Sequence, residues 1–463
     1  MTEKERALWE TITRFSFDET IEEYGFETRL AFENKWTDFV TKQAIEEYKK
    51  FMFLASVSKQ MVSPSEIVDI VWHQHLIFSK SYEKLCQLLG KKIEHIPSTH
   101  NPQNHSVFTT AKEYTSALYE TYFGKQTPYF WDNHYLEETQ LTTGNVTMRR
   151  RIIKIAGISV LLYLPLYFLL KPYIVTIENP YFVLYTIIVT FCMFSFLYFQ
   201  ITVVAEDSAK KLYRENVHIQ NLNAAEVICL QTGNNNRYVH ASVDNMIKKR
   251  VLRTEGNWGV KLDLNAVFTT KDEVAVGNVF NDKEPVNYIT LFHQLRVKEL
   301  FLLPQQAMKN LRATIVNSSY FVSLFTVVIL FFLPMLYLFL IRLQLGIERE
   351  KPVAFLVVEI GGYLIAGYYF LKKAYTELFA KAIPNLYNTK IKSEERIDLK
   401  QSWEWKYLII GTAFYCDDFL PLVEPIQTRM NSNSSSWGSC GSSCGSSCGS
   451  SCGGGCGGCG GGD

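Results

Sequence analysis

The chain has 463 residues, a length that allows two or three domains. Apolar residues make up 47% and charged residues 20%, which excludes globally disordered and fibrous classes. Lys and Arg number 47 against 46 Asp and Glu, so the basic excess of a dedicated nucleic-acid binder is missing.

The start, Met1 to Arg6, is charged and has no apolar stretch behind it, so no cleaved signal peptide is expected. Residues 1–140 read as a helical cytosolic domain. Leu8, Trp9, Ile12 and Phe15 mark a helix over Glu5–Phe15. Phe32, Trp36, Phe39, Val40, Ala44, Tyr48 and Phe51 mark a second over Leu30–Phe53. Ser63-Pro64-Ser65-Glu66 then announces a third, with Ser63 as N-cap, Pro64 as first helical residue and Glu66 as capping-box partner.

That third helix carries Asp69-Ile70-Val71-Trp72-His73-Gln74-His75, with Tyr82, Cys86, Gly90, Ile93, His95 and Pro97 beyond it. His73, His75, Cys86 and His95 are of metal-ligating type. Residues two apart on a helix point about 200° apart, so His73 and His75 do not face one ion. Asp69 and His73 share a face at i, i+4. The structural reading is a buried Asp69–His73 hydrogen bond with Trp72 in the core; the chemical alternative is a metal-dependent enzyme using His73, His75 and His95. The D-x-V-W-H-x-H helix, the following Tyr, the x-H-x-P segment and the opening Leu8-Trp9 resemble the glycine-rich-domain-containing proteins of bacteria and plants. The bacterial members are membrane proteins with a Gly/Cys-rich tail. The resemblance covers residues 1–140 by motif and the rest by layout. It implies architecture and no activity, because that family's function is unassigned.

Four stretches are long and apolar enough to span a bilayer: Ile152–Leu170, Tyr181–Val204, Tyr320–Ile341 and Val353–Leu371. They form two hairpins, 152–204 and 320–371, joined by short loops. Arg149, Arg150, Arg151, Lys154, Lys210, Lys211, Arg214, Lys309, Arg312, Lys372 and Lys373 all flank the ends away from those loops. By the positive-inside rule the N-terminal region, the middle region and the C-terminus are then cytoplasmic, in a multi-pass cell-membrane protein. Glu359 lies inside the fourth span, where a carboxylate is costly and faces a bundle interior. Gly361, Gly362 and Gly367 follow it and permit close helix approach.

Residues 205–319 form an α+β insert. Ala205–Glu215 prolongs the second span, Asn223–Glu226 is a capping box, and Tyr238–Lys249 is a helix. Val251–Arg253 and Trp258–Leu264 form a hairpin around Glu255-Gly256-Asn257. Helix, turn, helix and hairpin is the order of a winged helix. Lys248, Lys249, Arg250, Arg253 and Lys261 are diluted by Asp244, Glu255, Asp263, Asp272 and Glu273, so nucleic acid is not the expected partner. Phe292–Leu303 is a further helix leading to Pro304.

Residues 372–430 read as a charged stretch to Lys406 and a packed or interfacial helix over Tyr407–Leu422, which holds Asp417 and Asp418. Residues 431–463 are nearly all Ser, Gly and Cys, a composition that predicts disorder. Cys440, Cys444, Cys448, Cys452, Cys456 and Cys459 recur there, six of the ten cysteines, and as thiolates suit a soft ion such as Zn²⁺ or Cu⁺. Cys86, Cys192, Cys229 and Cys416 are isolated, unlike a disulfide framework.

The expected fold is mainly α: a helical N-terminal domain, four transmembrane helices in two hairpins, a winged-helix-like insert and a disordered tail. No P-loop, dinucleotide fingerprint or H-E-x-x-H is present. The leading expectation is a membrane-anchored interaction or assembly protein contacting the lipid bilayer and protein partners. The alternatives are a small transporter or ion-handling protein using Glu359, and the metal-dependent enzyme.

Overall fold

The computed structural model describes residues 1–96, 102–132, 146–256, 258–263, 265–280, 284–393 and 402–426. The fold is mostly helical, with four long apolar helices and a small three-stranded sheet. The cysteine-rich tail lies outside the described residues.

The N-terminal helices are α1 (Glu3–Thr13), α2 (Phe26–Asn34), α3 (Asp38–Val57), α4 (Glu66–Ile77), α5 (Ser79–Leu89), α6 (Pro102–Phe123) and α7 (Pro128–Trp131). The single helix expected over Leu30–Phe53 is two. Lys35 takes the left-handed conformation at φ 55°, ending α2, and the Thr37 hydroxyl caps α3 by accepting the Val40 N–H. A local hydroxyl cap outweighs the continuous apolar stripe. The start of α4 is likewise corrected: Ser65, not Ser63, is the N-cap, accepting from the Val68 N–H, and Pro64 lies before it. Ile12, Phe26, Tyr48, Phe51, Trp72 and Leu85 share the core of this region. Glu47 is buried within it, accepting from Tyr119 Oη at 2.9 Å and from Trp131 Nε1 at 2.6 Å, and so ties α7 to α3.

The long helices follow: α8 (Val146–Ile174), α9 (Asn179–Glu215), and further on α16 (Ser319–Glu348) and α17 (Ala354–Thr376). The spanning stretches are Met148–Ile174, Pro180–Glu215, Ser319–Glu348 and Ala354–Lys392, each longer than its apolar run. The α16 helix is central, packing against α8, α9 and α17. Little of α8 is buried by protein, and its Val160, Leu161 and Phe168 are exposed, as suits a lipid-facing surface. Of the three glycines expected to allow close approach, Gly367 does so: a Cβ there would meet the Phe332 ring at 2.4 Å. Gly361 and Gly362 have nothing within 4 Å.

The middle region holds α10 (Val217–Gln220), α11 (Ala224–Thr232), α12 (Asn236–Lys248), β1 (Leu252–Glu255), β2 (Gly259–Leu262), α13 (Lys271–Gly277), β3 (Val286–Asn287), α14 (Tyr288–Leu295) and α15 (Glu299–Asn317). The Asn223–Glu226 capping box is present. The hairpin pairs Leu252 with Leu262 and Glu255 with Gly259, and the unforeseen β3 pairs Val286 with Val260. Phe292–Leu303 is not one helix. It breaks at Arg296–Lys298, and α15 continues through Pro304 towards the third span.

The charged stretch beyond α17 begins as helix. It stays helical through a π turn at Glu377–Ala382 and α18 (Ile383–Lys392). Glu377 accepts from Lys373 at 2.6 Å and Lys381 at 2.7 Å, which stabilises the charges there. The Tyr407–Leu422 segment is α19 (Trp403–Ile410), a 3₁₀ turn at Gly411–Phe414, and a short helix over 420–426. Tyr407, Tyr415, Phe419, Leu422 and Val423 are buried against Val243, Leu252, Tyr288 and Phe292, so this segment completes the core of the middle region. That pairing accounts for its apolar run without a fifth span.

The N-terminal helices dock on the middle region. Lys298 pairs with Glu23 and Lys271 with Glu27, both at 2.7 Å. Glu226 accepts the backbone N–H of Asp38 at 2.7 Å and of Asn223 at 2.8 Å, so one buried carboxyl joins the starts of α3 and α11.

Candidate metal centre

Helix α4 positions two of the expected histidines as their spacing requires. His73 points outward and His75 inward, a consequence of about 200° between i and i+2. His75 is wholly buried. Its Nδ1 lies 2.9 Å from Tyr48 Oη and its Nε2 3.2 Å from Ser81 Oγ, and its ring meets Phe17 edge-on. Burial pushes its pKa down to about 3, so it is a neutral core imidazole. Cys86 is buried in the same core.

Asp69 and His73 do share a face, but the expected buried pair is not found. Their side chains are 40% and 59% exposed, and the contact between them is 3.6 Å. The closer partner of both is His95, on the segment after α5. His95 Nε2 lies 2.9 Å from Asp69 Oδ1 and 2.9 Å from His73 Nε2. Residue type marks His95 as a candidate ligand, but spacing does not bring it to Asp69 and His73, because a 22-residue separation carries no periodicity.

The His95 segment is held from behind. Trp72 Nε1 donates to Tyr82 Oη at 3.2 Å, and Tyr82 Oη donates to the Ile93 carbonyl. The Trp72 ring packs edge-on against the His95 imidazole at 4.6 Å. Trp72 is therefore both core and a wall of the site. This support limits the freedom of His95, as a ligand requires.

Three potential donor atoms thus converge within 4.8 Å of one another. A neutral imidazole carries one N–H, and a carboxylate only accepts. As an N–H, His95 Nε2 donates along only one of its two 2.9 Å contacts and cannot accept along the other; as a lone pair it accepts from His73 and faces the lone pairs of the Asp69 carboxylate. A cation satisfies all three at once. A tetrahedral ion with bonds of about 2.1 Å sets its ligands about 3.4 Å apart, a few tenths of an ångström from the spacings here. The site opens on a cleft of about 880 Å³, whose lining includes Lys59, Ser63, Glu66, Asp69, Trp72 and His95.

The other expected sites stand apart. Glu359 faces α9, where its Oε1 accepts from Thr186 Oγ1 at 2.6 Å. Its Oε2 is buried with no hydrogen-bond partner among the described residues. The six tail cysteines lie outside those residues.

Residues 8–112, which contain this site, match the model of a family described as UCP032817-like. A curated relative, glycine-rich domain-containing protein 1 of Arabidopsis thaliana, is 28% identical over 94 residues, 19% of this chain and 12% of that protein. The chain therefore spans about an eighth of the length of that relative. No solved structure matches. These findings support a likeness to glycine-rich-domain proteins over the N-terminal region. The four apolar helices fit a membrane protein of unassigned function.

Proposed function

We propose that this is a membrane-anchored metal-binding protein, in which Asp69, His73 and His95 hold a divalent transition ion on the N-terminal domain. The observation that carries the reading is the convergence of two imidazole Nε2 atoms, 2.9 Å apart, on the two oxygens of one carboxylate at 2.9 and 3.6 Å, which one shared proton cannot satisfy. Two histidines and one carboxylate are a ligand set used for Zn²⁺ and for non-haem Fe²⁺, and three protein ligands leave an open position for water or substrate. Facing a cleft, such an ion would act as a Lewis acid or activate bound water. His75 takes no part.

Anchoring by four spans, with the N-terminal, middle and C-terminal regions in the cytoplasm, is the setting of this proposal. The docked N-terminal and middle regions suit the assembly role expected from the sequence. The test is metal content. Full-length protein purified in detergent without chelator should hold close to one equivalent of Zn²⁺ or Fe²⁺, and His73→Ala and His95→Ala should each lose it. Metal-free protein that takes up no ion at micromolar concentration would refute the reading.

The Oε2 of Glu359, buried and without a partner among the described residues, favours a second reading, cation or proton handling by the bundle. Proton or cation flux into liposomes, abolished in Glu359→Gln, would support it.

A further inference from the structure

A second cavity, of about 640 Å³, lies where the N-terminal helices meet the bundle. It is a different place from the metal centre and has no residue in common with it. Its depth relative to a bilayer follows from its lining. Arg151 immediately precedes the apolar run of the first span, and Tyr320 opens that of the third. One wall is α7 with Tyr129, held in place by the Glu47–Trp131 bond. The Arg151 and Tyr320 end of the cavity thus lies where two apolar runs begin, and the N-terminal domain roofs it.

Its polar groups are unevenly satisfied. Arg151 Nη1 is buried with no hydrogen-bond partner among the described residues. His218 is only 8% exposed, and its Nδ1 is also without a partner among them. Burial pushes the His218 pKa down to about 4, so this imidazole offers a hydrogen bond but no charge. Its ring packs against Tyr129 at 4.1 Å. Glu215 lines the same cavity and accepts from the Tyr320 hydroxyl. Phe39, Leu212 and Ile315 supply apolar walls.

A guanidinium remains charged at any relevant pH, and its planar fork matches phosphate oxygens. Leaving such a donor buried and unpaired is costly, so a cavity that keeps one is complementary to an anion. Glu215, exposed at the edge of the same cavity, offers its carboxylate to a cation there. The apolar walls ask for hydrocarbon. We infer that the cavity binds an aminophospholipid headgroup, with its phosphate at Arg151, its ammonium at Glu215 and its glycerol region against Phe39 and Ile315. The lipid would fill the junction between the N-terminal domain and the bundle.

The test uses delipidated full-length protein in detergent, with phosphatidylethanolamine, phosphatidylglycerol, phosphatidylcholine or free O-phosphoethanolamine added. Native mass spectrometry should show one retained phosphatidylethanolamine and a raised melting temperature. Phosphatidylglycerol and the bulkier choline headgroup should be retained at least tenfold less. Arg151→Gln and Glu215→Gln should each remove the preference. Arg149→Gln takes the same charge from an exposed neighbour that does not line the cavity, and should leave the preference intact. Equal retention of all three lipids, or an equal loss in Arg149→Gln, would overturn the proposal in favour of a nonspecific lipid shell. A shift with free O-phosphoethanolamine as large as with lipid, lost in Arg151→Gln, would overturn the lipid source and assign a soluble phosphate ester.

Discussion

The Nε2 atoms of His73 and His95 lie 2.9 Å apart, although 22 residues separate them. One belongs to a helix face and the other to an irregular segment pinned by Tyr82, so a surface imidazole has a fixed partner. The pairing changes what Asp69 is expected to do. A buried Asp–His pair would make Asp69→Ala cost ~1–3 kcal/mol through an unpaired imidazole. With Asp69 40% exposed, the expected loss is about 1 kcal/mol or less. Urea unfolding should show that small change while metal affinity falls at least tenfold. A large stability loss with unchanged affinity would return Asp69 to a structural role.

His75 should behave in the opposite way. Replacing it by Leu leaves the buried Tyr48 hydroxyl without its partner, at a cost of ~1–3 kcal/mol, with no change in bound metal. Its pKa is lowered to about 3 in the fold, against about 6.5 when unfolded. The unfolded chain therefore binds the extra proton between these values, and stability falls as pH drops through that window. Melting temperatures from pH 7 to pH 4 should fall less steeply in His75→Leu than in the parent.

Glu226 works on the other side of neutrality. Burial pushes its carboxyl up to about 8, against the Asp38 and Asn223 N–H bonds that pull it down. An unfolded Glu titrates near 4.3, so between the two values the folded state holds the extra proton and stability falls as pH rises. From pH 6.5 to 8 the loss is about 2 kcal/mol at most. Comparison of the parent with Glu226→Gln over that range should show the slope reduced in the variant, whatever its absolute stability.

Topology follows from the charges flanking the spans. Reporter fusions after Gln140, Asn281 and Asn431 should all report cytoplasm. An external signal at Asn281 would reverse the assignment for the middle region, and with it the leaflet that the second cavity faces.

The tail is expected to bind soft ions. Thiols of ordinary pKa near 8.5 are mostly protonated at neutral pH, and residues 438–463 contain no Lys, Arg or His to lower that value. Metal binding itself drives deprotonation. A reduced peptide of residues 431–463 should take up one or two Zn²⁺ or Cu⁺ ions with proton release and no helical signal. Changing Cys440, Cys444, Cys448, Cys452, Cys456 and Cys459 to Ser should abolish uptake.

Element type was legible where the cause is local. The long apolar runs, the Asn223–Glu226 capping box, the β-hairpin and the opposite facing of His73 and His75 all follow from period or from short-range hydrogen bonds. Boundaries failed where a nearby competing cap intervened. Thr37 divided one apolar stripe into two helices, and Ser65 took the role expected of Ser63.

The sequence by itself determined that this protein has four membrane-length helices, a helical N-terminal region rich in ligand-type side chains, and a small mixed insert, because each is written in composition and periodicity. Only the tertiary structure decided that His95 joins Asp69 and His73, that Tyr407–Val423 closes the core of the middle region, and that Arg151 and His218 share a cavity. Those relations depend on how chain segments far apart in sequence pack. Packing is selected by the summed burial and hydrogen bonding of the whole fold, which no local window contains.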